Sequence, residues 1–524
     1  MSRLVVVSNR VADPLDAAPG GLAIALEEAL QRQGGLWFGW GGTLTDQPNP
    51  QVSTRQWGPV TLATTALERR DHDSYYSGYC NNVLWPVFHN RLDLAVFDPG
   101  FYEGYQRVNR QFAQQLLPLL QDDDIIWVHD YHLMALAAEL RALGCKQRIG
   151  FFLHIPFPPP VALSAVPQHQ ALMQACMAYD LVGLQSQQDL QHFESYVLAQ
   201  ADGRIHPDHH YCAHGRHTRC EVFPIGIDAQ AFAALTATPE ALQVQDTMRR
   251  EYGRRRLVIG IDRLDYSKGL PERIHAFRDL LERHPAHRRS ATLVQIGSPT
   301  REHLQAYSDI RTQFESLCGA INGDFGELDW MPVRYIHQVL TRAHLAGLCR
   351  SAAVGLVTPL RDGMNLVAKE FIAAQDPADP GVLVLSRFAG AAEQLQEALL
   401  VNPYDAHSTA NSIDQALQMP LAERIARHQR LLARIQAQDV HWWSGRFLST
   451  LGQCQPPQHR QPPMALPAHS SVASTVASTG ADKPPTRPAA PIHLGGASAS
   501  PYLPVLPRSA PAHPLGAAPL RPGR

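Results

Sequence analysis

Residues 352–375 read AAVGLVTPLRDGMNLVAKEFIAAQ. The first half is a short apolar run that stops at a charged turn, Arg361-Asp362-Gly363. The second half has helical spacing, with Lys369 and Glu370 in its second turn. An apolar run of this length, ended by a turn and followed at once by a helix, reads as a strand buried on both faces. Taken alone, the Asp-Gly step is an ordinary turn between strand and helix, and the Lys-Glu pair a solvated helix face. The same junction recurs along the chain, and the recurrence decides the fold.

Apolar runs of this kind stand at 3–9 (RLVVVSN), 124–130 (DIIWVHD), 148–154 (RIGFFLH), 179–185 (YDLVGLQ) and 220–226 (CEVFPIG). More follow at 255–262 (RRLVIGID), 291–297 (ATLVQIG) and 381–387 (GVLVLSR). Amphipathic stretches such as YHLMALAAELRALG (131–144) and LPERIHAFRDLLERHP (270–285) separate them. This alternation predicts an α/β protein with parallel sheets covered by helices. The runs fall into two sets with a break near residues 226–250, which predicts two doubly wound, Rossmann-like domains facing each other across a cleft. The expected divisions are 1–228, 229–430, a helical segment 431–452 packing back on the first domain, and a tail from 453 to 524. The tail holds 16 of the 41 prolines, one acid (Asp482) and six Lys/Arg, with no periodic apolar face. It is expected to be disordered, because it cannot bury enough surface to offset its ordering entropy.

At 524 residues the chain exceeds one core, and its net charge of −2 gives no nucleic-acid footprint. No run of eighteen apolar residues is present, so no membrane span is expected. The opening MSRLVVVSNR lacks a signal-peptide pattern and reads as the first strand, which suggests a cytoplasmic protein. Eight cysteines lie mostly inside apolar patterns and are expected to be reduced thiols. The segment 206–220, HPDHHYCAHGRHTRC, is rich in His and Cys, but its spacing matches no standard structural zinc pattern. No metal and no cofactor are expected.

In open α/β sheets ligands sit at the carboxyl ends of the strands. Those ends carry Arg10, followed by the pair Gly20-Gly21 opening a helix; His129-Asp130-Tyr131-His132; His154 before a proline-rich loop; Arg263 with Lys268; Arg301; and Asp362-Gly363. Two cations at one strand-to-helix junction suit a diphosphate, with the helix start adding partial positive charge. A surface pairing of Arg263 with Asp265 is the plainer alternative. Cations, N–H donors and scattered acids, without a Ser-His pair or a metal triad, point to group transfer on phosphate-bearing substrates.

The motifs VSNR, GGLWFGWGG, YYSGYCNNVLWPVFH, DDDIIWVHDYHL, IGFFLHIPFP, DRLDYSKGLPER and GLVTPLRDGMNLVAKE resemble those of the trehalose-6-phosphate synthases, in the expected order from residue 1 to about 450. These are retaining glycosyltransferases of two Rossmann-like domains, the GT-B fold. The resemblance implies glucose transfer from UDP-glucose to glucose 6-phosphate, giving α,α-trehalose 6-phosphate and UDP, by a same-face route without metal. It implies that Arg263 and Lys268 bind the donor diphosphate and that Glu370 holds the ribose. Asp362 and the backbone of Gly363, Met364 and Asn365 would hold the glucosyl hydroxyls. Leu366, Val367, Ala368 and Lys369 continue the donor-binding helix start, Gly20 and Gly21 line the donor side, and Leu340 meets the uracil through its main chain. His154 reaches the donor sugar. Arg10, Tyr76, Trp85, Asp130 and Arg301 match the acceptor side, with Arg10 and Arg301 on the phosphoryl group. Arg263, Lys268, Asp362, His154 and Asp130 are thereby the expected catalytic set. Relatives of this kind form dimers or tetramers and serve osmoprotection. Two other readings are a relative using ADP-glucose and glycerol 3-phosphate, and a catalytically dead sugar-phosphate sensor. A fused phosphatase is disfavoured, since no acidic phosphatase motif follows residue 450.

Overall fold

The buried apolar runs pair into two sheets in the computed structural model, which describes residues 2–11, 21–48, 50–253 and 255–454. Gly20 and the tail from 455 lie outside the described residues. The first sheet is built from β1 (Leu4–Arg10), β2 (Gly35–Thr45), β3 (Ser53–Trp57), β4 (Val60–Glu68), β5 (Ile125–His129), β6 (Arg148–Phe152), β7 (Leu181–Leu184), β8 (Arg204–His206), β9 (His210–Ala213) and β10 (Arg216–Val222). Their order is β3-β4-β2-β1-β5-β6-β7-β10-β9-β8. The interior strands run parallel, while β3 and the β8–β9 pair are antiparallel additions at the two edges. The second sheet, β11 (Arg256–Arg263), β12 (Ala291–Ser298), β13 (Val333–Ile336), β14 (Val354–Val357), β15 (Val382–Ser386) and β16 (Leu399–Val401), is parallel throughout, in the order β13-β12-β11-β14-β15-β16. The central strands are buried on both faces, as their unbroken apolar sequences require.

The sheets belong to one compact unit. The chain leaves the first sheet through Phe223-Pro224-Ile225-Gly226 and comes back between the helices Leu421–Ala437 and Val440–Gln453. The two passages touch: a Cβ on Gly226 would stand 2.4 Å from the Gln438 carbonyl oxygen and the Asp439 carbonyl carbon. Only a residue without a side chain fits there. The helix Val440–Gln453 lies beneath β6 and β7, where Trp443 and Phe447 pack on Trp127 at 4.9 and 4.8 Å between ring centroids. Arg148 Nε donates to the Cys454 carbonyl at 2.8 Å and fixes the end of that helix.

Replacing Gly226 by valine should force the two passages apart. Overpacking of this kind costs about 1–3 kcal/mol, so the thermal unfolding midpoint should fall. An unchanged midpoint in a calorimetric scan would show that the crossing is not a constraint.

Candidate active site

The carboxyl ends of β11, β12 and β14 in the second sheet face those of β1, β5 and β6 in the first, and the polar strand ends meet between them. β11 ends at Asp262-Arg263. Asp262 is buried against Arg273 at 2.5 Å, and Arg273 also donates to Gln295 and to Thr358 on the end of β14. This pins the strand ends before any ligand is considered. Lys268 then extends Nζ to the Asp362 carboxylate at 2.6 Å, with both side chains at least 85% buried. Asn365 Nδ2 donates to the same carboxylate oxygen at 3.1 Å, while its Oδ1 accepts from the Ala368 N–H and caps the helix Leu366–Ala374. Burial would push the Asp362 carboxyl up, but Lys268 outweighs it and holds the group below the usual carboxylate range. Asn365 takes positive φ (75°), a conformation asparagine tolerates. The helix thus begins beside an ammonium-carboxylate pair with its first-turn N–H groups lacking intrahelical partners.

One turn along that helix, Glu370 is half-buried, and burial raises its pKa against the opposing charge of Arg342. Arg342 follows the half-buried Leu340 by two residues and also acts on Glu27 of the first lobe. Lys369 leaves this face. Its buried Nζ donates to the Ile225 carbonyl at 2.6 Å and to Gln394 at 2.7 Å, and Gln394 in turn donates to Gln438 at the crossing of the lobes. Burial lowers its pKa to about 7. Gly363, in the turn before the helix, sits against the first lobe: a Cβ there would lie 2.1 Å from the His154 carbonyl oxygen.

On the facing wall, the segment His72–Leu84 is wound as a π-helix and leads into Trp85. Tyr76 stacks on His132 (5.9 Å, 10° between planes) and lies against Trp40, over which Arg10 places its guanidinium at 5.7 Å. Trp85 receives two cations from the second lobe, Arg301 at 4.1 Å and Arg263 at 5.3 Å from its ring centroid. Arg301 donates to Tyr131 at 3.0 Å and to Tyr307 at 2.6 Å; Tyr131 donates onward to Asn81, and Tyr307 to Asp265. Asp265 is not the surface partner of Arg263 that the sequence offered as an alternative. It is fully buried, and its ion pair is with Arg301 at 3.7 Å. Burial would raise its carboxyl; Arg263, Arg301 and Lys268 together bring it down to about 2.

Asp130 takes φ 75° at the end of β5 and accepts the His154 backbone N–H at 3.2 Å. Burial pushes its carboxyl up to about 6, although the Tyr131 and His154 N–H groups and the charges of Arg301 and Arg263 pull the other way. Burial likewise drives the His154 imidazole down to about 3, so the ring is neutral. The lobes are held further by Arg361, which reaches Gln188 and Asp189, and by Glu393, which accepts the Gln187 and Gln188 N–H groups at the start of the helix Gln187–Gln200.

The structure therefore gathers Arg10, Tyr76, Trp85, Asp130, His154, Arg263, Lys268, Arg301, Asp362, Gly363 and Asn365 around one cleft. Met364 and Ala368 are buried beside it, Leu366 and Val367 open the helix, and Gly21 heads the helix Gly21–Gln33. Tyr131 was among the polar strand-end candidates, whereas Asp265, Tyr307 and Arg361 were not singled out from sequence as site residues. Asp265 and Arg361 lie inside quoted motifs and Tyr307 outside them, but in each case the partner that gives the residue meaning is set by the fold. The His/Cys-rich segment forms the β8–β10 edge, with Cys212 Sγ 2.6 Å from His217 Nδ1, and no metal-binding cluster of three side chains occurs among the described residues.

Residues 5–453 match the model of glycosyltransferase family 20. The chain is 48% identical to the trehalose-6-phosphate synthase of Enterobacter sp. (strain 638) over 459 residues, covering 87% of this chain and 96% of that protein. A crystal structure of the UDP-forming α,α-trehalose-phosphate synthase of Burkholderia xenovorans in complex with glucose-6-phosphate is 49% identical, with TM-score 0.84 over 86% of this chain and all of the other. The E. coli trehalose-6-phosphate structure bound with UDP-2-fluoro glucose is 47% identical, with TM-score 0.83 over 87% of this chain and all of the other.

The raised pKa of Asp130 predicts a pH-dependent trade between site and stability. Below about pH 4 the carboxyl is neutral in both folded and unfolded chains and carries no penalty. As pH rises toward about 6, the unfolded chain ionises first, and above that the folded state bears the full cost. Asp130→Asn keeps an acceptor for the His154 N–H and removes the charge. Its unfolding midpoint should exceed that of the parent at about pH 7.5, with the gap closing toward about pH 4. A gap that does not vary with pH would show that the Asp130 carboxyl is not destabilised by burial.

Proposed function

The chain belongs to glycosyltransferase family 20, and from that premise we propose that its cleft moves glucose from UDP-glucose to glucose 6-phosphate, releasing UDP and forming α,α-trehalose 6-phosphate. The observation that carries this reading is the pairing of two cationic ends. Arg263, Lys268 and the Asn365-capped helix start stand at one, and Arg301 and Arg10 stand over aromatic rings at the other. A nucleoside diphosphate suits the first, a sugar phosphate the second. Relatives at 47–49% identity bind glucose-6-phosphate and UDP-2-fluoro glucose.

In this reading Arg263, Lys268 and the helix start stabilise the charge that develops on departing UDP, by donors oriented in advance of reaction. Asp362 and the main chain of Gly363, Met364 and Asn365 hold the glucosyl hydroxyls, and His154 meets the same sugar. Main-chain groups of Leu366 through Lys369 complete the donor end, Glu370 holds the ribose and Leu340 the uracil. Tyr76, Trp85 and Asp130 position the acceptor beside Arg10 and Arg301. The acceptor hydroxyl attacks the anomeric carbon on the face from which the diphosphate leaves. The bond from that carbon to the phosphate oxygen breaks as the new glycosidic bond forms, and the departing phosphate oxygen takes the hydroxyl proton. Configuration is retained. Protein cations supply the charge neutralisation, and the positioning of the two substrates supplies much of the rate. Asp362 already neutralises Lys268, which makes it a poor nucleophile for a double displacement. The enzyme works in the cytoplasm as a dimer or tetramer, its product serving osmoprotection. All eight cysteines are free, as a reducing compartment requires.

Purified protein given both substrates should release UDP in step with an α,α-linked disaccharide phosphate seen by NMR, and chelator should leave the rate unchanged. Arg263→Ala and Lys268→Ala should each lower kcat by about 10²–10³. Turnover only with ADP-glucose and glycerol 3-phosphate would reassign the substrates. A trapped glucosyl-enzyme would overturn the same-face route, and nucleotide-sugar binding with no turnover would leave a sensor.

A further inference from the structure

His129 ends β5 and His154 stands two residues beyond β6, its neighbour in the sheet. Their rings meet edge to edge, His129 Nδ1 at 3.0 Å from His154 Nε2. His129 is fully buried, whereas His154 is partly open to the cleft, and among the described residues its ring bonds through Nε2 alone. Burial lowers the pKa of both, so both rings are neutral and each has one donor nitrogen and one acceptor nitrogen. The contact therefore contains one proton, and two arrangements are open.

The surroundings of His129 choose between them. Its Nε2 is buried without a hydrogen-bond partner, and so are the indole N–H groups of Trp127 and Trp443, whose rings lie 4.5 and 6.3 Å from it. If His154 donated, His129 would carry its proton on Nε2, adding a third buried donor to a pocket that already holds two without acceptors. If His129 donates, Nε2 is a bare lone pair and no buried donor is added. Buried donors without acceptors are rarer than under-used acceptors. The second arrangement fits, and it leaves the proton of His154 on Nδ1.

We infer that His129 is a positioning residue that locks His154 in the Nδ1–H tautomer, so that His154 presents a hydrogen-bond donor to the cleft. The catalytic consequence rests on the glucosyl transfer proposed above. A donor at this point addresses an oxygen of the transferred sugar and cannot compete as a base for its hydroxyl protons. His129 touches no substrate and acts through His154 alone.

Tautomers are read directly from long-range proton–nitrogen correlation spectra of ¹⁵N-histidine-labelled full-length protein, with the His154 signals assigned by their loss in His154→Gln. The parent should show His154 protonated on Nδ1. In His129→Phe the signal should shift to the Nε2–H form, and in His129→Asn, whose amide can donate from a similar place, the Nδ1–H form should persist. Transfer should fall about tenfold in His129→Phe, the scale of one hydrogen bond, with less loss in His129→Asn. A parent with His154 protonated on Nε2 overturns the inference, even where a variant fails to fold. So does a His129→Phe protein that keeps the Nδ1–H signal. The spectra need no substrate, so absence of glucosyl transfer would overturn the functional reading and leave the tautomer result standing.

Discussion

The two lobes meet where Gly363 rests on the carbonyl of His154, with no room for a Cβ between them. That contact brings the turn opening the helix Leu366–Ala374 against the end of β6, and much of the site is arranged around it. His154 answers to three neighbours: its N–H binds the Asp130 carboxylate, its carbonyl faces Gly363, and its ring meets His129. The start of the helix Leu366–Ala374 on one lobe is thereby registered against the strand ends of the other by backbone atoms, whose positions vary less than those of long side chains.

Charge is the second ordering principle. Arg263, Lys268 and Arg301 come within reach of each other in a largely buried cleft, and such a gathering is unfavourable unless it is compensated. Asp362 neutralises Lys268, and Asp265 faces Arg301 from behind Tyr307. Trp85 offers its ring face to two guanidiniums. Each cation thus has a fixed partner within the protein, a carboxylate or a ring face. In the proposed transfer, a phosphate entering the cleft would meet positive charge already oriented, with little reorganisation as negative charge develops.

How much of this was legible in the sequence follows from what each signal encodes. Strands such as β1, β5, β12 and β15 declare themselves because burial on both faces demands unbroken apolar runs. The edge strands do not: β3 (STRQW) and β8 (RIH) are exposed and polar, so hydrophobic pattern cannot find them. That the polar strand ends would converge was legible because topology alone brings those ends together. What stayed hidden was pairing at long range. That Asp265 belongs to Arg301 and that His129 meets His154 depend on how two elements lie in space, and no local pattern records it.

The helix Leu366–Ala374 shows why Lys369 and Glu370, adjacent in sequence, have different surroundings. At 100° per residue, neighbouring positions face different directions, and this helix lies between the cleft and the crossing of the lobes. Glu370 faces the Arg342 side. Lys369 is driven into the interior, where an ammonium is costly unless acceptors meet it. The acceptors it finds are the Ile225 carbonyl on the outgoing passage and Gln394, which holds Gln438 on the returning one. One short helix thus presents its N-terminus to the cleft and fastens its flank to the two passages that join the lobes among the described residues. Any rotation of one lobe about that crossing must carry this wall of the cleft with it, because the same nine residues belong to both.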